Sequence, residues 1–173
     1  MTTVAPRSVP LPYGPGVTAP RLRPARERDA PALADLARPF VRSGALRERP
    51  PALYADHAAD FLVAEATGGS LEGCVGLRVY PADEGEGPGP TGVLYNFCVA
   101  GHSQGRGVGA GLLGAVLTRS RARSLRALFT ATTGDGGLFL RYGFTPAAGR
   151  PAPRAWAKTL DPRRNAHVLA LTW

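Results

Sequence analysis

Gln104-Gly105-Arg106-Gly107-Val108-Gly109 stands between two stretches of opposite periodicity. Before it, Val93 to Ala100 reads as a strand containing an aromatic pair, Tyr95 and Phe97. After it, Val108, Leu112, Leu113, Val116 and Leu117 recur on one face of a helix. A strand, a glycine turn and a helix start let the backbone approach a ligand closely. They also turn unpartnered N–H groups toward an anion. A phosphate or pyrophosphate is the expected occupant, and a glycine-rich helix start that binds nothing is the plain alternative.

Three phosphate-binding patterns compete for this turn. A P-loop needs Gly-Lys-Ser/Thr, and the first and only lysine of the chain is Lys158, so that pattern is excluded. A dinucleotide fingerprint can be laid on Gly105, Gly107 and Ala110, or on Gly109, Gly111 and Gly114. Neither is followed, about 20 positions on and after a second strand, by the acid that would hold a ribose. The third pattern, the Gln/Arg-x-x-Gly-x-Gly/Ala turn of acyl-coenzyme A binders, matches Gln104 through Gly109 as it stands.

Outward from the turn, the elements alternate. Arg21 to Pro24, Phe61 to Glu65 and Gly73 to Tyr80 read as strands upstream, and Ala127 to Ala131, a strand starting at Phe144, and Val168 to Leu171 read as strands downstream. Ala32, Leu33, Leu36 and Ala37 predict a first helix, and the stretch after Pro50 and Pro51 a second. Leu138 to Tyr142 predicts a short helix stopped by Gly143. Pro81 to Gly92 is a loop carrying Asp83, Glu84 and Glu86. With no internal repeat and 173 residues, these predict one α/β (α+β) layered domain over residues 20–173. Residues 1–19, rich in proline, form a flexible tail that does not read as a secretory signal.

Composition narrows the partners. The formal net charge is +8, which attracts phosphates and acidic surfaces. Two cysteines, Cys74 and Cys98, make neither a disulfide framework nor a four-ligand zinc site, so no metal is expected and a reducing cytoplasm fits. No apolar run has the length of a membrane span. Nucleic acid is disfavoured as a partner, because no reader motif or aromatic–basic stripe accompanies the charge.

Val99 through Leu113, together with Leu138-Phe139-Leu140-Arg141-Tyr142-Gly143-Phe144, resembles the Gcn5-related N-acetyltransferases (GNAT). The resemblance runs from about Arg21 to Trp173. It implies a central mixed sheet splayed like a V beside a bulged strand. An acetyl-CoA or other acyl-CoA cosubstrate would lie in the opening, with its pyrophosphate on Val99 and Gln104, Gly105, Arg106, Gly107, Val108, Gly109 and Ala110. Within the family, Gly44 to Arg49, Gly73 to Arg78 and Arg164 to Leu169 are similar to the acetyltransferase domain of N-acetylglutamate synthases. That similarity implies an acceptor carboxylate held by Arg49, Arg78, Arg164 and Asn165. The departures are Ala166 where those enzymes carry serine, Arg78 where lysine is common, and Val93 where a glutamate is usual.

Direct attack of an amine on a thioester needs a neutral amine, a placed nitrogen and a donor for the oxyanion. The bulged strand supplies the donor from its backbone near Phe97, Cys98 and Val99. For the base, His167 beside Arg164 and Asp135 in Thr132-Thr133-Gly134-Asp135 are the side-chain candidates, with a relayed water as the alternative. His57 and His102 read as ordinary surface histidines. Phe139 stands where many relatives place an acidic tyrosine, and Tyr142 is three positions on. Cys98 reads as a small core residue rather than a nucleophile. Arg119, Arg121, Arg123 and Arg126 suit either a helix C-terminus or an acidic docking partner.

The expected activity is N-acyl transfer from a coenzyme A-type thioester to the amine of a small carboxylate-bearing acceptor, glutamate being the family default. Its rivals are transfer from phosphopantetheine on an acidic acyl carrier protein, as in natural-product biosynthesis, and a non-catalytic acyl-CoA sensor or nucleic-acid-binding module. A homodimer is compatible with any of these.

Overall fold

A computed structural model describes residues 18–82 and 89–173. The acidic residues Asp83, Glu84 and Glu86, and the tail as far as residue 17, lie outside the described residues.

One seven-stranded sheet carries the fold, in the order β1-β2-β3-β4-β5-β7-β6. The strands are β1 (Arg21–Pro24), β2 (Phe61–Glu65), β3 (Leu71–Tyr80), β4 (Thr91–Val99), β5 (Ala127–Thr132), β6 (Thr145–Pro146) and β7 (His167–Thr172). Five helices flank it: α1 (Ala30–Arg42), α2 (Pro51–Asp56), α3 (Val108–Ala122), α4 (Gly137–Arg141) and α5 (Arg154–Ala157). Among the described residues only the β4–β5 pairing is parallel, the long α3 crossing between those two strands.

Strand alternation sorts the two faces. Leu62, Ala64, Val75 and Leu77 meet Leu112, Leu113, Val116 and Leu117 of α3, while Phe61, Val63, Cys74 and Cys98 meet Leu33, Ala37 and Tyr54 of α1 and α2. Each fully buried leucine stabilises the fold by about 1.5–3 kcal/mol through its area removed from water. At the sheet edge, the Arg23 guanidinium donates to both oxygens of Asp29 (2.7 and 3.0 Å) and both of Glu65 (2.9 and 3.0 Å). It thereby ties β1 to β2 and to the start of α1.

Two irregularities in β4 make the opening. Cys74 pairs with Cys98 and Gly76 with Tyr95, so Asn96 and Phe97 together face the single residue Val75. Asn96, at φ +51°, takes the left-handed conformation of this bulge, and the Tyr54 hydroxyl lies 3.3 Å from its side-chain oxygen. On the other side, pairing with β5 ends at Leu94–Thr130, although β4 runs on to Val99. Thr130 Oγ1 closes the apex by donating to the Leu94 carbonyl at 3.3 Å. The sheet therefore splays as expected, leaving one edge of Tyr95 to Val99 without a strand partner.

The expected strand at Phe144 is displaced. Phe144 is buried in the core among Phe139 and its neighbours, and only Thr145 and Pro146 pair with β7. Residues 154–164 hold α5 and a 3-10 turn, Pro162–Arg164, that hydrophobic periodicity did not announce. Elements of three and four residues are too short to show a period.

Candidate active site

The glycine turn follows β4 directly. A 3-10 turn, Gly101–Ser103, leads to Gly105 at φ +73° and Gly107 at φ +84°, the latter capping α3. Both conformations favour glycine, and they aim the first free N–H groups of α3 out of the turn. Gln104 Nε2 folds back to donate to the Val99 carbonyl at 3.0 Å, fastening the turn to the end of β4. Val108 is buried and anchors the helix start, whereas Gly105 and Arg106 are exposed. A Cβ on Gly109 would stand 3.3 Å from Leu138 and 3.5 Å from Val99, so this glycine lets α3 approach the inner wall of the opening. A helix start bearing backbone donors fits a pyrophosphate, and an unpaired strand edge fits the amides of a pantetheine arm.

Beside the middle of β4, at Val93 to Asn96, lies a cavity of about 720 Å³. Arg49, Arg78, Arg164 and Asn165, far apart in sequence, all line it, together with Val93, Tyr95, Trp156, Leu160, Asp161 and Ala166. Arg164 donates to the carbonyls of Gly44 (2.8 Å) and Ala45 (3.1 Å), holding the loop that carries Arg49 against the turn after α5. Arg47 reinforces this clasp from the loop side by donating to the Thr159 carbonyl. Phe129 and Trp156, with ring centroids 6.3 Å apart, pack with Val93 beneath the cavity.

The arginines are not equivalent. Arg78 donates to Asp60 Oδ2 from Nε and Nη2, both at 3.3 Å, and Tyr95 donates its hydroxyl to the same oxygen at 2.8 Å. Burial works against the Arg78 charge, but Tyr95 and Asp60 outweigh it and raise its pKa. Arg49 forms no ion pair among the described residues. Burial lowers its pKa, marking a cation partly withdrawn from water without a counter-charge.

The expected bases lie elsewhere. Along β7, Val168 and Ala170 face Trp156 and Val93, whereas Leu169 and Leu171 face the α3 core. His167, by alternation, falls on the side away from the arginines, and it is exposed. Adjacency to Arg164 in sequence does not carry across this change of face. Asp135 is exposed and accepts from Gly137 N at 2.9 Å, which engages it in the turn that leads into α4. Among the described residues, the one carboxylate on the cavity wall is Asp161, which the sequence pattern did not mark. Its Oδ1 accepts from Arg163 N at 2.9 Å.

Cys98 is buried with its sulfur 3.7 Å from that of Cys74, on the α1 face. The contact with Cys74, followed by burial, raises its pKa far above that of a free thiol, so it is not an activated nucleophile. Phe97 and Phe139 stack edge to face at 5.6 Å inside the opening. The Tyr142 hydroxyl donates to the Ala110 carbonyl at 3.0 Å, which engages its proton. In the arginine cluster on and after α3, Arg119 donates to the Ala59 carbonyl at 2.9 Å, and Arg121 lies over the Trp173 ring at 5.4 Å. Among the described residues, no group of three or more His, Cys, Asp or Glu is placed to hold a metal, and no helix is long and apolar enough to cross a membrane.

A splayed mixed sheet with a bulged fourth strand leading into a glycine-capped helix is the architecture of an acyl-coenzyme A-binding acetyltransferase domain. The chain belongs to the acetyltransferase (GNAT) family, whose model matches residues 30–144. It is 34% identical over 148 residues to an amino-acid acetyltransferase of Ralstonia nicotianae, covering 86% of this chain and 31% of that protein. It is 29% identical over 150 residues to an amino-acid acetyltransferase of Pseudomonas fluorescens, covering 85% and 32%. Its fold is similar to N-acetylglutamate synthase from Neisseria gonorrhoeae, solved with coenzyme A and N-acetyl-glutamate, with a TM-score of 0.75 and 28% identity over 88% of this chain and 34% of that one. The Mycobacterium tuberculosis protein Rv2747, solved with coenzyme A, shares the fold at a TM-score of 0.73 and 22% identity, covering 89% of this chain and 99% of that one. The chain spans about a third of the length of the curated relatives it matches.

Proposed function

We propose that this protein transfers an acetyl group from acetyl-CoA directly to the primary amine of an amino acid. The supporting observation is the convergence of Arg49, Arg78 and Arg164 on one cavity at the apex of the opening, with the glycine turn at the far end of the same strand. The backbone donors of the turn hold the pyrophosphate, and the free edge of Tyr95 to Val99 pairs with the pantetheine arm. Backbone N–H groups near Phe97 to Val99 stabilise the oxyanion that forms as nitrogen attacks. Arg49 and Arg164 take the acceptor carboxylate and so aim the amine. With Val93 in place of a glutamate, the ammonium proton leaves through water. A thiol pKa of about 8.5 lets the thiolate depart without a dedicated acid.

Glutamate is the default acceptor by likeness to N-acetylglutamate synthase. The apolar Val93, Trp156, Leu160 and Ala166 on the cavity wall favour a wider range of amino acids. The test supplies acetyl-CoA with each of the twenty amino acids and, separately, an acetyl-loaded carrier protein, and follows thiol release and product mass. Acetylation of one or more free amino acids from acetyl-CoA is expected. If coenzyme A binds but no amino acid is acetylated, the proposal fails, and turnover only from the carrier protein moves the donor to phosphopantetheine.

A further inference from the structure

Tyr95 is held on every side. It pairs in register with Gly76, where a Cβ would stand 2.7 Å from the Tyr95 ring, so the ring lies on the bare backbone of β3. Phe61 meets it edge to face at 5.2 Å. Its hydroxyl is fastened to Asp60 at 2.8 Å, and Arg78, bound to that same carboxylate oxygen, has its guanidinium carbon 5.0 Å from the ring centroid. The remaining contact is with Arg49, whose guanidinium carbon lies 5.3 Å from the centroid. Tyr95 itself lines the cavity.

Two consequences follow from this box. Asp60 compensates Arg78, so the charge of Arg78 is already matched within the protein. Arg49 has no carboxylate partner among the described residues, and the aromatic face is what orients a side chain that would otherwise sample many rotamers. A guanidinium receives a carboxylate through two parallel bonds only when its plane is set beforehand.

We propose that Tyr95 is a positioning residue for the acceptor, with Gly76 seating the ring against which Arg49 is set to receive the substrate carboxylate. This rests on the amino-acid acetyltransferase function proposed above. It adds a division of labour: Arg49 receives, Arg78 braces, and the Tyr95 ring sets the angle.

The probe is the amino acid acetylated fastest by the wild-type protein among the twenty, together with its α-amide. Tyr95→Met is expected to raise the KM for that amino acid about tenfold or more, one hydrogen-bond equivalent, with kcat and the KM for acetyl-CoA within about twofold. The preference for the acid over the amide should fall in parallel. Tyr95→Phe keeps the ring and should restore the acceptor KM to within about threefold of wild type. Gly76→Ala leaves Tyr95 in place but pushes its ring off β3, and should reproduce the Tyr95→Met phenotype. It also carries the test should Tyr95→Met fail to fold. Proper folding is checked by circular dichroism and by unchanged coenzyme A affinity.

If Arg49→Met raises the acceptor KM while folded Tyr95→Met and Gly76→Ala do not, the positioning role is overturned and the function stands. If Tyr95→Met lowers kcat and raises both Michaelis constants alike, Tyr95 is merely structural and the proposal is again overturned. If the wild type acetylates no amino acid, the proposed function falls and this inference with it.

Discussion

Replacing Arg49 with methionine should move activity and stability in opposite directions. Arg49 lines the cavity, forms no ion pair among the described residues, and reaches a backbone acceptor, the Arg47 carbonyl, only at 3.5 Å. In the proposed function, its guanidinium meets a substrate carboxylate. Losing a charge-assisted hydrogen bond costs about 1.5–3 kcal/mol, which is about 10- to 150-fold in kcat/KM for the acceptor. Without substrate, the balance differs. Burial lowers the pKa of Arg49, so folding disfavours its charged form, and that cost is present at every pH below the folded value, including the whole neutral range. Methionine keeps the apolar stem and removes the charge. Against this gain stands the loss of the contact with the Tyr95 ring, worth about 0.5–1 kcal/mol. Tm should therefore be unchanged or higher. Steady-state thiol release at saturating acetyl-CoA gives the first quantity, and thermal unfolding by circular dichroism the second. An acceptor kcat/KM within about twofold of wild type would refute the carboxylate assignment. A drop in Tm of more than about 4 °C, equivalent to roughly 1 kcal/mol or more at this length, would show that Arg49 is a structural residue instead.

Two further outcomes are expected. Gly107→Asp forces a side chain into φ +84°, at about 1–2 kcal/mol, and sets a carboxylate at the helix start, so the Kd for coenzyme A measured by calorimetry should rise about tenfold or more. An unchanged Kd would remove the pyrophosphate from this turn. Asp29 has its pKa lowered by the bond from Arg23, with backbone N–H of Arg26 adding to it. The stabilisation is complete above the unfolded carboxylate pKa of about 4 and is lost as pH falls through the folded value. Asp29→Asn should destabilise the protein by about 1–3 kcal/mol at pH 7 and flatten its loss of stability below about pH 4, as read by urea unfolding across pH. Equal stability of the two proteins at pH 7 would contradict the role given to the Arg23 cluster.

The turn proposed to hold the donor was legible because its geometry is local. A pyrophosphate needs a tight turn, backbone donors and a helix start, and all three are written within Gln104 to Gly109 and the apolar stripe from Val108 to Leu117. The strands and helices around it were legible for the same reason, since periods of two and of about 3.6 residues are short-range signals. The acceptor half was legible only through family likeness. It named Arg49, Arg78 and Arg164, but the first and last lie 115 positions apart, and nothing local distinguishes them from other arginines.

Tertiary structure alone decided what each of those arginines can do. Asp60 reaches Arg78 because the turn before β2 packs beside β3, and Tyr95 reaches Arg49 because Gly76 leaves room for its ring. Trp156 comes to the cavity on the four-residue α5, and Leu160 and Asp161 on the connection that follows it, segments too short to leave a periodic trace. His167 was chosen by closeness to Arg164 in sequence, but it turns to the opposite face of β7, and Asp135 is engaged in the turn that leads into α4. Side-chain type and spacing specify the elements, but counter-charge, face and orientation depend on which elements are packed together. For this protein those relations set apart Arg78, matched by Asp60, from Arg49, which has no carboxylate partner among the described residues.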